Sequence, residues 1–328
     1  MTKIDYNLVY LQSENARITL KELSKNLRKS PQRLKYTINS LKKEEILRDP
    51  YCIFDYSYFG LILFRVYFRG AYISEQEKAN ILIELNSNPY IVSMYELSGE
   101  FDLIVEFASP NPSKFNKELK NLSVHIPTLH DYKIVLNLVS YICPRHYLTE
   151  SENLQSFNVE KIIGGDRERE LFNPNEMVIM KNLLLNPTIR YTDLAKKSSL
   201  NVKTGKSILI NLRTRKIVRG FRYIINTNKL GIHKFRLFLR LHNVSPERDV
   251  QLIEYILKIK EVVQINKTVG DWDMELDIEA LDKGRIRQLV TQLREEFKEI
   301  IERFNLIEFY DYYKRSYLPL FLFNEEIF

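Results

Sequence analysis

The stretch LQSENARITLKELSKNLRKSPQRLKYTINSLKKEEILR, residues 11–48, decides the fold of the first part of the chain. Leucines recur at helical spacing between residues 20 and 27, and Ser30-Pro31 then supplies an N-cap residue followed by proline at the first position of a second helix. The apolar stripe of this second helix consists of Leu34, Ile38 and Leu41. Together with an earlier helical pattern near the N-terminus, this order predicts a helix-turn-helix.

The same pattern returns 171 residues later. The G-x-x-D of SGEFD (Gly99, Asp102) aligns with that of VGDWD (Gly270, Asp273), and the register slips by one residue only near the end of each copy. Such a period is too long for a solenoid unit. The chain is therefore predicted to be a tandem duplication of one two-part module.

The second part of each module alternates strand-like and helix-like segments. In the first copy, a strand from Leu61, a helix from Ser74, a hairpin around Gly99, a helix from Pro112 and a strand from Asp131 follow one another. This β-α-β-β-α-β order predicts a ferredoxin-like sheet with helices on one face. The second copy repeats it, with its last helix expected over 282–302. The predicted fold class is α+β, with two winged-helix-like helix-turn-helix domains and two ferredoxin-like domains in tandem.

The predicted domains follow from these boundaries. The apolar tail YLPLFLFNEEIF from Tyr317 is expected either to pack on the second sheet or to serve as an arm between chains. The ranges are a first helix-turn-helix domain at 1–50, a first ferredoxin-like domain at 51–148, a polar linker at 149–173, a second helix-turn-helix domain at 174–225, and a second ferredoxin-like domain at 226–328.

The positive charge of the chain is concentrated in the helix-turn-helix segments. The 328 residues carry a formal charge of +7. Segments 16–50 and 187–222 each hold ten basic residues, against four and one acidic residues, so together they carry +15 and the rest of the chain carries −8. A basic module joined to an acidic one is typical of a protein that meets nucleic-acid phosphate through one part only.

The contacts to DNA can be assigned to two sets of residues. Basic side chains on the helix-turn-helix surface are expected to contact backbone phosphates without reading sequence. Side chains on the exposed N-terminal face of each recognition helix are expected to read bases. The phosphate set is Arg17, Lys21, Lys25, Arg28, Lys29, Lys35, Lys42, Arg190, Lys196, Lys197, Lys206 and Arg213. The base-reading set is Gln32, Arg33, Tyr36, Lys203, Thr204 and Ser207.

Several other functions are disfavoured by the sequence. The TGKS segment at 204–207 lacks the first glycine of a phosphate loop, because Leu200 stands there. The five histidines show no metal-ligand spacing, and Cys52 and Cys143 cannot form a disulfide framework. We expect no metal and no cofactor. No signal segment or membrane span is visible, so the chain is interpreted as soluble and cytoplasmic.

Residues 11–48 resemble the helix-turn-helix of the Lrp/AsnC (feast/famine) transcription regulators, and the following β-α-β-β-α-β with its G-x-x-D resembles their effector-binding and oligomerisation domain. The resemblance implies a sequence-specific regulator of double-stranded DNA rather than an enzyme. It implies a covalent pseudo-dimer, because family members are usually one module long, and homo-oligomers through the ferredoxin-like sheets. It also implies a small effector such as an amino acid near Gly99, Asp102, Gly270 and Asp273, although a hairpin turn alone also explains these four residues.

The chain also departs from the family. The arginine that the family often keeps on the recognition helix is Thr37 in the first copy and Ile208 in the second, and the two base-reading faces differ. We therefore expect two unequal half-sites rather than a strict palindrome.

Two alternatives stay open at the level of sequence. Sirohaem decarboxylases resemble the same two-part module and can occur as two fused copies, but they need histidine and arginine around a tetrapyrrole pocket. Here the corresponding sheet positions are expected to be mainly apolar or aromatic. The second alternative is an architectural DNA-binding protein with a steep salt dependence and little sequence preference.

Overall fold

The computed structural model describes residues 4–156 and 158–323. The last five residues of the apolar tail lie outside the described part. The helices are α1 (Tyr6–Glu14), α2 (Leu20–Leu27), α3 (Pro31–Lys43), α4 (Glu75–Ser87), α5 (Pro112–His125), α6 (Glu152–Gln155), α7 (Pro174–Leu185), α8 (Tyr191–Lys197), α9 (Val202–Thr214), α10 (Pro246–Leu257) and α11 (Lys283–Glu296). The strands are β1 (Leu47–Phe54), β2 (Ile62–Phe68), β3 (Ile91–Leu97), β4 (Leu103–Ser109), β5 (Tyr132–Ile142), β6 (Lys161–Gly164), β7 (Val218–Ile225), β8 (His233–Leu241), β9 (Val262–Val269), β10 (Met274–Ala280) and β11 (Ile301–Arg315).

The predicted fold class is confirmed. Helices α1 to α3 and α7 to α9 form the two helix-turn-helix units, and strands β2 to β5 and β8 to β11, with two helices each, form the two ferredoxin-like sheets. The backbone also repeats: Gly60 and Gly231, 171 residues apart, both adopt a φ of +66°. Equivalent turns therefore close in the same way in both copies.

The two ferredoxin-like sheets pair with each other through their long final strands. The first half of β11 pairs with β8 of its own copy, whereas its second half pairs with β3 of the other copy. Strand β5 pairs in the same way with β2 and then with β9. Eight strands thus form one closed arrangement in the order β2-β4-β3-β11-β8-β10-β9-β5, and β6 adds to β5. Closure leaves these strand edges paired.

The helix-turn-helix units are joined by a second, smaller sheet. Strand β1, which follows α3, pairs antiparallel with β7, which follows α9. In this register Tyr51 lies opposite Arg222, and these two residues are also repeat equivalents. A pseudo-twofold axis therefore passes through this pair.

The structure differs from the predicted ranges of domains and helices in three places. Strand β1 runs past residue 50, because its residues up to Phe54 are buried in the ribbon with β7. The predicted linker contributes β6 to the sheet. Helix α11 ends at Glu296 rather than Glu302, since Phe297 and Ile300 turn into the core before β11 begins.

The described part of the apolar tail packs inside the chain. Phe321 stacks on Tyr90 of the first copy with a centroid distance of 4.3 Å, and Tyr317 lies against Tyr51. The tail up to Phe323 therefore packs between the first copy and α7 of the second helix-turn-helix unit, where Lys181 donates to the Phe323 carbonyl at 3.2 Å, rather than on the second sheet. In the described ranges, no helix is long and apolar enough to cross a membrane.

Candidate nucleic-acid interface

The turn before each recognition helix is built by capping residues. In the first copy, Thr19 caps α2 in a capping box with Glu22. Arg28 then adopts a left-handed φ of 52°, and the Ser30 hydroxyl accepts a hydrogen bond from Arg33 N at 3.4 Å to start α3. In the second copy, Ser199 has the equivalent left-handed φ of 54°. These caps fix where α3 and α9 begin and so which residues occupy their first turns.

Helix α3 presents the predicted base-reading residues to solvent. Its apolar stripe is buried, while Gln32 and Arg33 are exposed and the Tyr36 side chain is 78% exposed. Within the described residues, the Tyr36 ring therefore packs against no hydrophobic core. The structure therefore brings Gln32, Arg33 and Tyr36 together on one outward face.

Helix α9 presents a different face. Lys203 and Ser207 are exposed, whereas Thr204 is half-buried and its backbone N donates to the Asn201 side chain at 2.8 Å. Buried Gly205 packs against Ala195, which lets α9 sit close to α8. The two recognition helices thus offer an aromatic and an arginine in one copy, and a lysine and a hydroxyl in the other.

Most of the predicted phosphate-contacting side chains are exposed. None of the following pairs with a carboxylate among the residues that the structure describes. These are Lys21, Lys25, Arg28, Lys35, Lys42, Arg190, Lys196, Lys197, Lys206 and Arg213. Their charge is therefore available to an anionic partner.

Arg17 and Lys29 are placed differently. Lys29 forms an ion pair with Asp5 within the first helix-turn-helix unit. Arg17 donates to the Pro187 carbonyl at 2.9 Å, and its guanidinium lies 5.0 Å from the ring of Tyr191 in the second unit. Both side chains stabilise the arrangement of the helix-turn-helix units, so we leave them out of the proposed phosphate contacts.

A buried ion cluster joins both helix-turn-helix units to the sheet. The carboxylate of Glu14, at the end of α1, accepts hydrogen bonds from Arg222 on β7 and, at 3.2 Å, from Arg145 after β5. Arg145 also donates to Glu279 at 2.9 Å. All four side chains are at most 5% exposed. The repeat counterpart of Glu14 is Leu185, so a sequence search for repeated polar residues could not detect this cluster.

Glu279 makes this cluster sensitive to acid. Burial alone would raise the pKa of Glu279, but the charges of Arg145 and Lys234 outweigh it and lower the pKa from 4.5 to about 2. A carboxylate with a lowered pKa in the folded state adds stability above its ordinary pKa, and this stability is lost as the pH falls toward the folded value.

We therefore expect the free energy of unfolding to decrease by roughly 3 kcal/mol, through Glu279, between pH 4.5 and pH 2. Urea unfolding at closely spaced pH values measures it. The Glu279→Gln variant serves as the comparison, because it lacks the titrating group. Parallel stability curves for the two proteins below pH 4.5 would contradict this role of Glu279.

The G-x-x-D residues are held by turn geometry. Gly99 and Gly270 have φ values of +104° and +147°. The Asp102 carboxylate accepts from Gly70 N at 2.5 Å, and that of Asp273 accepts from Leu241 N at 2.8 Å. Each aspartate thus ties its hairpin to the end of a neighbouring strand. The amino-acid effector implied by the resemblance stays a prediction, because these four residues already have a structural role.

The space between the two sheets is filled by charged side chains and aromatic rings. Alternate residues of β2, β8 and β10 face inward, because their neighbours pack against the helices. Arg236 donates to Tyr95 Oη at 2.5 Å and to Tyr67 Oη at 3.0 Å, and Arg65 donates to Glu275 at 2.6 Å. These bonds link one copy to the other, and all five side chains are fully buried. These positions therefore include aromatic residues, as expected, together with buried charged residues that the sequence did not predict.

Hydrogen bonds of 2.5 to 3.0 Å bridge this interior from Arg65 and Arg236 to their partners. A tetrapyrrole placed between these side chains would have to break those bonds. A cavity at one end of the interior, beside Lys234 and Glu279, holds about 10 Å³, roughly the space of one water molecule. The described residues contain no group of three or more His, Cys, Asp or Glu that could hold a metal ion.

Comparisons with known proteins agree with this architecture. No family model matches the chain. The uncharacterized HTH-type transcriptional regulator PH0061 of Pyrococcus horikoshii is 29% identical over 114 residues, which are 35% of this chain and 76% of that protein. The solved structure of the siroheme decarboxylase NirDL has a TM-score of 0.56 and 13% identity over 95% of this chain and 93% of its own.

A solved AsnC family transcriptional regulator from Agrobacterium tumefaciens is 18% identical, with a TM-score of 0.40, over 47% of this chain and all of its own. The match with NirDL shows the two-copy fold over nearly the whole chain. The molecule thus combines two helix-turn-helix units with two ferredoxin-like sheets. It resembles the Lrp/AsnC-type transcription regulators, as the sequence predicted.

Proposed function

We propose that the chain is a sequence-specific double-stranded DNA-binding transcription regulator of the Lrp/AsnC type, acting as a covalent pseudo-dimer. One observation carries this proposal. In the part of the chain that the structure describes, ten exposed basic side chains without carboxylate partners accompany the exposed faces of two recognition helices, and the β1–β7 ribbon joins the two units in one chain. Phosphate contacts from the basic residues position the protein, and the recognition helices read the bases.

Sequence-specific binding is favoured over an architectural role by the exposed faces themselves. Arg33 and Gln32 have the donor geometry that recognises guanine and adenine in the major groove. On α9, Lys203 and Ser207 replace them, so the two half-sites of the operator differ. An architectural protein needs neither these side chains nor their difference.

The decarboxylase alternative has the fold of NirDL in its favour, but a fold does not determine chemistry. The interior between the sheets is occupied by paired arginines, tyrosines and carboxylates. The exposed basic faces of the helix-turn-helix units would have no purpose in that enzyme. We therefore propose no reaction for this chain.

Selection of binding sites from random duplexes with the full chain tests the proposal. We expect one enriched site of two unequal halves that survives competitor DNA, with an affinity that falls steeply as salt rises. Binding without any enriched sequence would support the architectural role instead. Absence of DNA binding, together with a Soret band that strengthens on adding sirohaem, would support the enzyme.

A further inference from the structure

A large cleft separates the two helix-turn-helix units on one side of the β1–β7 ribbon. Its volume is about 1010 Å³. One wall is formed by the turn between α1 and α2 of the first copy, and the other by the start of α8 and the end of α9 of the second copy. Lys161 of β6 forms part of the floor, over Gly220 of β7.

The lining of this cleft carries excess positive charge. Four basic side chains have no carboxylate partner in the described ranges and take no part in joining the helix-turn-helix units. Two of the three carboxylates there are already engaged: Glu22 caps α2 through Thr19, and Glu14 is bound by two arginines, whereas Glu160 is exposed. The four are Lys161, Arg190, Arg213 and Lys216, whereas Arg17 also lines the cleft but donates to the Pro187 carbonyl.

A second cleft, near Leu47 and Tyr223 of the same ribbon, provides an internal comparison, and Thr188 lines both clefts. Its volume is about 500 Å³, and it is lined by repeat equivalents of the same positions. Glu45 replaces Lys216, Asp49 replaces Gly220, and Thr188 replaces Arg17 as the equivalent residue. The two clefts therefore share a backbone framework, but only one of them is basic.

Gly220 makes room for the lysine in the floor. A Cβ atom at this position would lie 2.9 Å from Lys161 Cε, and Asp49 has its side chain at the equivalent position of the other cleft. Any larger residue would displace the Lys161 stem. Gly220 thus leaves the space in which the Lys161 side chain lies on the floor of the cleft.

We propose that this cleft binds a small polyanion of the di- and triphosphate class. Guanidinium groups donate pairs of parallel hydrogen bonds to phosphate oxygens, and a lysine adds a compact charge between them. Four cations without carboxylate partners in the described ranges, around one cavity, suit a ligand with several charged groups better than a single carboxylate. The proposal goes beyond the proposed DNA binding and does not depend on it.

Ligand binding in this cleft should change the protonation of Lys161. Burial, followed by the charge of Arg222, lowers the pKa of Lys161 to about 8, against the opposing influence of Glu14, Cys143 and Glu160. A bound anion raises the pKa of a neighbouring lysine. Binding near pH 8 is therefore accompanied by proton uptake, which phosphate contacts of fully protonated exposed lysines do not produce.

Calorimetric titration of the full chain with pyrophosphate, triphosphate and ATP tests the proposal. We expect saturable binding, and with ATP, whose phosphates are almost fully ionised at pH 8, a heat that depends on the ionisation enthalpy of the buffer. The Lys216→Glu variant, which copies Glu45 of the other cleft, should weaken triphosphate binding about tenfold. The matched control is Lys120→Glu on α5, which changes the charge equally on an exposed surface and should change the affinity less than twofold.

Two results would overturn the small-ligand proposal. One is the absence of saturable binding by all three phosphates, and the other is an equal loss of affinity in Lys216→Glu and Lys120→Glu. The DNA backbone offers the same phosphate chemistry, so a short duplex is titrated in parallel. A duplex whose affinity drops in Lys216→Glu, without competition from triphosphate, would assign the cleft to DNA alone. Triphosphate binding by a protein that binds no duplex would support this site and overturn the proposed function.

Discussion

Replacing Arg33 by alanine is expected to lower the affinity for the selected operator by roughly tenfold or more, and to relax the sequence preference in one half-site only. The reason is its position: Arg33 lies in the first turn of α3, exposed and without a carboxylate partner in the described part of the chain. A good bidentate contact to a base contributes about 1 to 3 kcal/mol of discrimination.

The Lys203→Ala variant is the matched test in the other copy. It occupies the first turn of α9 and should relax the preference in the other half-site, because the two recognition helices belong to one chain and cannot exchange places. Measuring binding to libraries randomised in one half-site at a time separates the two effects.

A phosphate-contacting residue behaves differently in the same assay. Lys25→Ala should weaken binding to all sequences equally and reduce the slope of log affinity against log salt by about 1. Lys120→Ala, on the sheet-side helix α5, controls for the loss of one positive charge. If Arg33→Ala and Lys203→Ala leave the preference of both half-sites unchanged, α3 and α9 are not the reading elements.

The local signals in the sequence were sufficient for the fold of each module. Ser30-Pro31 marks the start of α3, and Gly99 and Gly270 mark equivalent hairpins, because caps and turns depend on residues near in the chain. The 171-residue repeat showed that the module occurs twice. The way in which the copies join was not predictable, since it depends on which half of β5 and β11 pairs with which strand.

The candidate interface was predictable only in part. Exposure of Gln32, Arg33 and Tyr36 follows from the helical stripe, and the structure places them accordingly. Arg17 looked equally available in sequence, but it contacts Pro187, which is 170 residues away. The buried charges between the sheets were not predicted for the same reason, since their partners are also distant in the chain. In the sequence, Arg65 only interrupts an apolar strand, because its partner Glu275 belongs to the other copy.

Replacing Glu14 by alanine is expected to destabilise the whole chain by roughly 3 to 5 kcal/mol, lowering the melting temperature by roughly 5 to 10 °C. The Glu14 carboxylate is buried and bound by Arg145 and Arg222. Burial alone would raise the pKa of Glu14, but these arginines keep it below its ordinary value, so the group is charged at neutral pH. Among the described residues, its loss leaves Arg222 with the Cys143 carbonyl as its one hydrogen-bond partner.

The exposed pair of Glu45 and Lys229 provides the control, because it also links the two copies. Glu45→Ala should leave the melting temperature unchanged, since exposed ion pairs contribute little to stability. Equal effects of Glu14→Ala and Glu45→Ala would show that the buried cluster does not stabilise the junction.

A double variant separates the loss of the pair from the exposure of its partner. In Glu14→Leu with Arg222→Leu, no charge of this pair stays buried and unpaired, and Arg145 keeps Glu279 as its partner. Replacing a buried ion pair by apolar residues of similar volume is often neutral. The double variant should therefore lose less stability than the sum of the losses in Glu14→Leu and Arg222→Leu measured singly, and this difference, the coupling energy, should be roughly 2 kcal/mol or more. Additive losses would mean that Glu14 acts through packing of α1 rather than through Arg222. Coupling would instead show that one carboxylate, present in only one copy of the repeat, connects α1 of the first helix-turn-helix unit to the β7 strand of the second.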